Sequence, residues 1–268
     1  MLTVTLNQTT DPDLPYRQEV KQKVDNLCQH LAENPNQRKK WADLMEEFRW
    51  WQKFPEHGVF TSEDLEYMRV FTEAIETDRQ HDKDEGHRPI TEILIGAVPE
   101  GFVYYLLDNH TDSKGHAQRE VHVEIDSNGN IWRSNSPNRP LVRSLDVAFW
   151  DNQQNKGRGF ECKIGKVQVS KVKDKKICDA VIDLLACIYE RTSGCFETVL
   201  FSFCEPTDAV INSLFQNLED QSNRDRLNSN IIKFVGYEHL AVFDGTTSCC
   251  GGTSRGFLPD SPMSRLPR

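Results

Sequence analysis

The sequence has no apolar run approaching the length a membrane span needs. Its first residues, MLTVTLNQTT, carry neither the basic stretch nor the apolar core of a secretory leader. The 8 cysteines include no CxxC pair, which disfavours a zinc knuckle or a disulfide framework. Several of them fall inside apolar patterns, where a reduced thiol acts as a small hydrophobe. Reduced thiols and an intracellular setting, cytoplasmic or nuclear, are therefore expected. Apolar residues make up only 37% of the 268, so much of the surface must be polar. The formal charge of −9 excludes a uniformly basic nucleic-acid binder but leaves room for a local basic patch. No internal repeat is present.

From Pro15 to Gln80 the chain has helical periodicity. One helix is expected over Tyr16–Glu33, with Val20, Val24, Leu27 and Leu31 on one face before Asn34-Pro35. A second is expected over Gln37–Lys53, carrying Trp41, Leu44, Met45, Phe48 and Trp51, and a third opens at a Thr61-Ser-Glu-Asp cap. Core contact is the favoured use of the aromatic stripe, with a homodimer or protein partner as the alternative. The charged stretch Asp78–Arg88, which includes His81 and His87, has no regular ligand spacing and fits a solvated linker.

Strand signals follow. Ile93–Val98 is ambiguous, Phe102–Leu107 and Val121–Ile125 suggest a strand pair, and Ser127-Asn-Gly-Asn marks a turn before Ile131-Trp132. Ser170 suits the N-cap of a helix reaching Arg191. Thr198–Phe203 suggests a buried strand, Thr207–Leu218 a helix, and Ile231–Val235 and His239–Phe243 closing strands. The expected organisation is a helical region at 1–88, an α/β domain at 89–244 and a disordered Gly/Ser/Pro tail at 245–268.

The chemistry concentrates in LDVAFWDNQQNKGRGFECKI, Leu145–Ile164. It suggests two strands and a polar turn. Strand side chains alternate faces, so Glu161 and Lys163 share one face, and Phe160, Cys162 and Ile164 the other. Pairing Asp146 with them gathers three ionisable groups, provided the register does not slip by one residue. Two carboxylates suit a hard cation and leave positions open for a phosphate. A nearby lysine can orient or deprotonate water, or stabilise developing charge. By spacing alone a solvated polar face is the better explanation of these charges. The strand context, the alternation and the helix that follows favour a site.

Asp146, followed by Glu161-Cys162-Lys163 and then a helix, resembles the PD-(D/E)xK nuclease superfamily. The run GFECKIGKVQVSKVKDKKICDAV is similar to the E-C-K segment of its restriction-endonuclease-like and Mrr-like members. Leu145 stands where the family name has proline. The resemblance implies a restriction-endonuclease-like mixed central sheet flanked by helices, preceded here by the helical region. It implies Asp146 and Glu161 as ligands of Mg²⁺ (or Mn²⁺), the Cys162 carbonyl as a further ligand, and Lys163 as the catalytic lysine. An additional upstream glutamate is common in the family, and Glu73, Glu76 and Glu92 are the candidates. The implied activity is hydrolysis of nucleic-acid phosphodiesters, DNA ahead of RNA, without a membrane partner. The alternative is an inactive nuclease-fold scaffold that binds protein or nucleic acid.

Charge adds to this. Lys156, Arg158, Lys166, Lys171 and Lys173 form a basic cluster around the pair, and Gln168 and Ser170 add hydrogen-bonding groups, a set suited to backbone phosphates. Trp132 and Trp150 are either base-stacking or packing residues. Cys162 is expected to face the core rather than act as a nucleophile.

Overall fold

The computed structural model describes residues 2–10, 13–56, 58–81, 89–109, 117–136, 144–165 and 172–246, without the side chains of 81 and 172–174. Among these residues, eight α-helices surround a mixed seven-stranded sheet, an α/β architecture. The sheet order is β1 (Leu2–Gln8), β2 (Gln118–Ser127), β4 (Leu145–Asp151), β5 (Lys156–Lys163), β6 (Phe196–Ser202) and β7 (Ile232–Val235). Strand β3 (Asn130–Arg133) hairpins onto β2 through Asn128 and Gly129, both left-handed as a type I′ turn requires. Strands β5, β6 and β7 run parallel and the other pairs antiparallel.

Helices cover both faces of the sheet. One core joins α1 (Leu14–Gln22), α2 (Asp25–Glu33), α3 (Pro35–Trp51), α4 (Ser62–His81) and α5 (Ile90–Asn109) to Val147, Phe160, Val199 and Phe201. The other packs α6 (Val172–Arg191), α7 (Thr207–Asn217) and α8 (Gln221–Asn228) against Val121, Leu145, Ala148 and Leu200. Burial on both sides corrects the expectation of one polar and one apolar face in the hairpin. Glu161 itself is only 5% exposed.

The expected first helix is two, α1 and α2, broken at Lys23-Val24. Pro35 stops α2 and then opens α3, where its missing N–H costs nothing. Thr61 and Asp64 cap α4 reciprocally, the Asp64 N–H donating to Thr61 Oγ1 (3.1 Å) and the Thr61 N–H to Asp64 Oδ2 (2.8 Å). Three expectations fail. Leu2–Gln8 is a strand of the sheet, so the segment before residue 88 is not purely helical. Phe102–Leu107 belongs to α5, because a helix buried on most sides carries no amphipathic stripe. The expected strand His239–Phe243 is instead the end of a 3-10 turn, Tyr237–His239, and the residues after it, which pair with no strand among the described residues.

Helix α5 organises the site. By length and composition it could cross a membrane, which corrects the reading that no segment is apolar enough, but here it is largely buried as a core helix. Its first N–H groups are capped by Asp78 of α4, whose carboxylate accepts from Ile90 and Thr91 (2.8 and 2.9 Å). Gly101 lets α2 approach closely: a β-carbon there would lie 2.5 Å from Cys28 Sγ, which is fully buried. Gly101→Ala is expected to cost about 1–3 kcal/mol by overpacking. Cys28→Ala in the same chain should restore most of that loss, as read by denaturant unfolding.

Candidate active site

Strands β4 and β5 pair with Val147 opposite Phe160, so the register brings Asp146 opposite Glu161 one step further on. The side chains agree. Asp146 Oδ2 accepts from the Cys162 N–H at 2.6 Å and lies 3.9 Å from Lys163 Nζ, and Lys163 donates to Glu161 Oε1. The three residues singled out in the sequence therefore converge. Asp146, Cys162 and Lys163 line a cleft of about 1160 Å³, while Glu161 is sealed behind the lysine.

Two further carboxylates join them from distant segments. Glu100 projects from α5 and Glu120 from β2, and the ammonium of Lys21 in α1 bridges both. Glu120 takes a left-handed backbone (φ 50°) within β2, a conformation costing a non-glycine residue of order 1 kcal/mol or more. That irregularity turns its side chain into the cleft, where Oε2 is buried without a hydrogen-bond partner.

The electrostatics follow from this crowding. Burial, then the charge of Asp146, pushes Glu100 up to about 7 despite Lys21. Burial and Asp146 likewise push Glu161 up to about 7 despite Lys163. Burial disfavours the Lys163 ammonium, but Glu161 and Asp146 outweigh it and raise its pKa, so the lysine is cationic at neutral pH. Burial, then Asp146, Glu100 and Glu161, raises the Cys162 thiol well above its usual range, leaving it protonated and inert.

Carboxylate oxygen is the donor type a hard divalent cation takes. Glu100, Glu120, Asp146 and Glu161 are all oxygen ligands, and a cation among them would relieve their repulsion. Among the described residues, no group of three or more His, Cys, Asp or Glu side chains is placed to hold a metal ion as the side chains stand. Lys21 and Lys163 take up part of the carboxylate valence instead.

Other sequence-derived candidates fall elsewhere. Glu73 is exposed and paired with Arg69, and Glu76 is exposed, whereas Glu92 lines the same cleft. An acid not among those candidates, Glu100, lies within electrostatic reach of Asp146 and Glu161. Its signal in the sequence is a carboxylate in the middle of an apolar run, visible only once Ile90–Asn109 is read as one helix. Lys156 is exposed at the hairpin turn, about 17 Å along β5 from Glu161 at ~3.3 Å per residue. Arg158 is held by Glu197 (2.8 Å) and the Gly245 carbonyl (2.7 Å). Neither lines the cleft. Lys166, Gln168, Ser170 and Lys171, the Lys173 side chain, the His81 side chain and His87, and the tail from 247 lie outside the described residues. Trp150 is buried against Phe196, and Trp132 packs under the Arg191 guanidinium. Among the described residues, the arginines and lysines that line the cleft besides Lys163 are Arg17, Lys21, Arg49 and Arg79, all from the N-terminal helices.

No protein-family model and no curated protein matches the chain. Among solved structures, Can2 from Sulfobacillus thermosulfidooxidans in complex with cyclic tetra-adenylate is similar over 89% of this chain, with a TM-score of 0.36 and 15% identity. This chain spans 56% of that one's length.

Proposed function

We propose that this protein is a metal-dependent phosphodiesterase that hydrolyses nucleic acid, DNA ahead of RNA. The observation that carries the reading is the convergence of Asp146, Glu161 and Lys163, with Asp146 and Lys163 lining the cleft, Glu161 behind the lysine and Glu100 within electrostatic reach. Asp146 and Glu161, joined by Glu100, would hold Mg²⁺ or Mn²⁺. When bound, such an ion supplies charge neutralisation at the phosphate and a water of lowered pKa. Lys163, kept cationic by its two carboxylates, offers a fixed positive charge to the phosphate oxygens as negative charge develops. That favours charge stabilisation over proton abstraction as its role. The Cys162 N–H holds the Asp146 carboxylate in place, and the buried strands around it limit the drift of every group.

The test is cleavage of plasmid, single-stranded DNA and RNA with Mg²⁺ or Mn²⁺. Asp146→Ala and Lys163→Ala should each lower the rate by about 10²–10³-fold or more. Activity that survives both substitutions would rule out this site. One observation favours the second reading, a nuclease-fold binding protein: Lys21 and Lys163 already engage Glu100, Glu120 and Glu161. Binding of nucleic acid without cleavage under any of these conditions would establish that reading instead.

A further inference from the structure

The last turn of α3 places a cation in the lining of the cleft and an aromatic ring beside that cation, and neither is used by the chemistry above. Arg49 lines the cleft, and its guanidinium lies directly over Gly165, two residues beyond Lys163. A β-carbon at Gly165 would fall 2.1 Å from Arg49 Nη1, so the glycine leaves room for that guanidinium. The ion pair of Arg49 with Glu46 is long, 3.3 Å, which leaves most of its five donors for a ligand. The indole of Trp50 lies 5.2 Å from the Arg49 guanidinium and is 55% exposed. It is fixed at its edge, because Nε1–H donates to Glu46 Oε1 at 2.6 Å. Leaving a large ring half in water forgoes much of its burial energy. Here the ring is also held in one orientation, beside a cation that faces the cleft.

We propose that Arg49 and Trp50 form a nucleotide subsite adjoining the scissile position, with Arg49 gripping a backbone phosphate and Trp50 stacking on an unpaired base. The preferred substrate is therefore single-stranded nucleic acid. A phosphate contact alone does not distinguish a strand from a duplex. An aromatic face does, because bases in a duplex are already stacked and turned inward, whereas an unpaired base offers its face freely. Arg17 and Arg79 line the same cleft and add cations for backbone phosphates in a protein of net charge −9. The proposal rests on the phosphodiesterase reading for the position of the reacting phosphate. Its test is binding, so the two can fail separately.

The full-length protein is titrated in Ca²⁺ with a short fluorescein-labelled oligodeoxynucleotide, once single-stranded and once as the blunt duplex, with anisotropy as the readout. The wild type should bind the strand more tightly than the duplex. Trp50→Ala should weaken strand binding about tenfold and duplex binding far less. Arg49→Ala should weaken the strand and flatten the slope of log Kd against log salt by about 0.7, the loss of one phosphate contact to a single strand. Gly165→Ala keeps both side chains but displaces the guanidinium, and should fall between wild type and Arg49→Ala. Lys53→Ala removes an exposed cation of the same region, paired with Glu56, and should change nothing. Unchanged thermal midpoints in these variants confirm that the fold is intact. The subsite is refuted if Trp50→Ala binds the strand as the wild type does, if strand and duplex weaken equally, if Lys53→Ala has the same effect, or if the wild type binds no strand. The expected order without cleavage in Mg²⁺ would refute the hydrolase and keep the subsite. Cleavage with Trp50→Ala affinity unchanged would do the reverse.

Discussion

Glu161→Gln should make the metal-free protein more stable above about pH 7 while abolishing hydrolysis. Glu161 is buried, and its carboxyl is pushed up to about 7 from an ordinary value near 4.5. A carboxyl whose folded pKa lies above its unfolded one binds more protons in the native state. Its stabilising contribution is complete below the unfolded value and is lost as pH rises from there through about 7. The difference corresponds to about 3 kcal/mol lost by alkaline pH. Glu100 behaves in the same sense and shares Asp146 as a neighbour, so the two contributions overlap and do not simply add.

Glutamine keeps the volume and an acceptor for Lys163 but removes the charge. Thermal unfolding in chelator between about pH 5 and 8 should show a flatter profile for the variant, with a midpoint raised by roughly 5–10 °C at the alkaline end. Mg²⁺ should raise the midpoint of the wild type at that pH, and that of the variant much less. An unchanged pH slope in Glu161→Gln would contradict this picture. The expected trade of stability for function is the signature of like charges held together for use rather than for folding.

The second large effect lies away from the site. Arg38→Ala should cost about 3–5 kcal/mol, which for a chain of this size lowers the midpoint by roughly 10 °C. Arg38 is 3% exposed and spans four carbonyls: Leu31 (2.8 Å), Ala32 (2.8 Å), Leu240 (2.9 Å) and Phe243 (2.6 Å). It also lies 5.0 Å from the Phe102 ring. Two of the carbonyls end α2, where a cation is favoured by the helix dipole and satisfies acceptors the helix cannot. The other two tie down the segment after the Tyr237–His239 turn. Burial lowers the Arg38 pKa to about 10, partly offset by Asp244, so it stays charged near neutrality. Arg38→Lys should recover little, because a single ammonium cannot span the same four acceptors. Amide exchange at 240–243 should rise in both variants. Protection there equal to wild type would show that this segment is held by Phe243 packing alone.

Local periodicity was enough for the sequence to specify α3, α4, α7, the β2–β3 turn, and above all the hairpin from Leu145 to Lys163. Alternation and turn chemistry act between near neighbours, and with the hairpin's register they placed Asp146 by Glu161 and Lys163. The same locality misled where burial is on all sides. Phe102–Leu107 looks like a strand because a helix packed all round loses its stripe, and the error hid Glu100. Sequence proximity did not bring Lys156 and Arg158 to the cleft, since a strand carries residues rapidly away from its end. Only the tertiary structure could bring Lys21, Arg49, Glu100 and Glu120 to the hairpin from separate elements. It could do so because the covering helices and the sheet share one core, which makes their side chains neighbours across long stretches of chain.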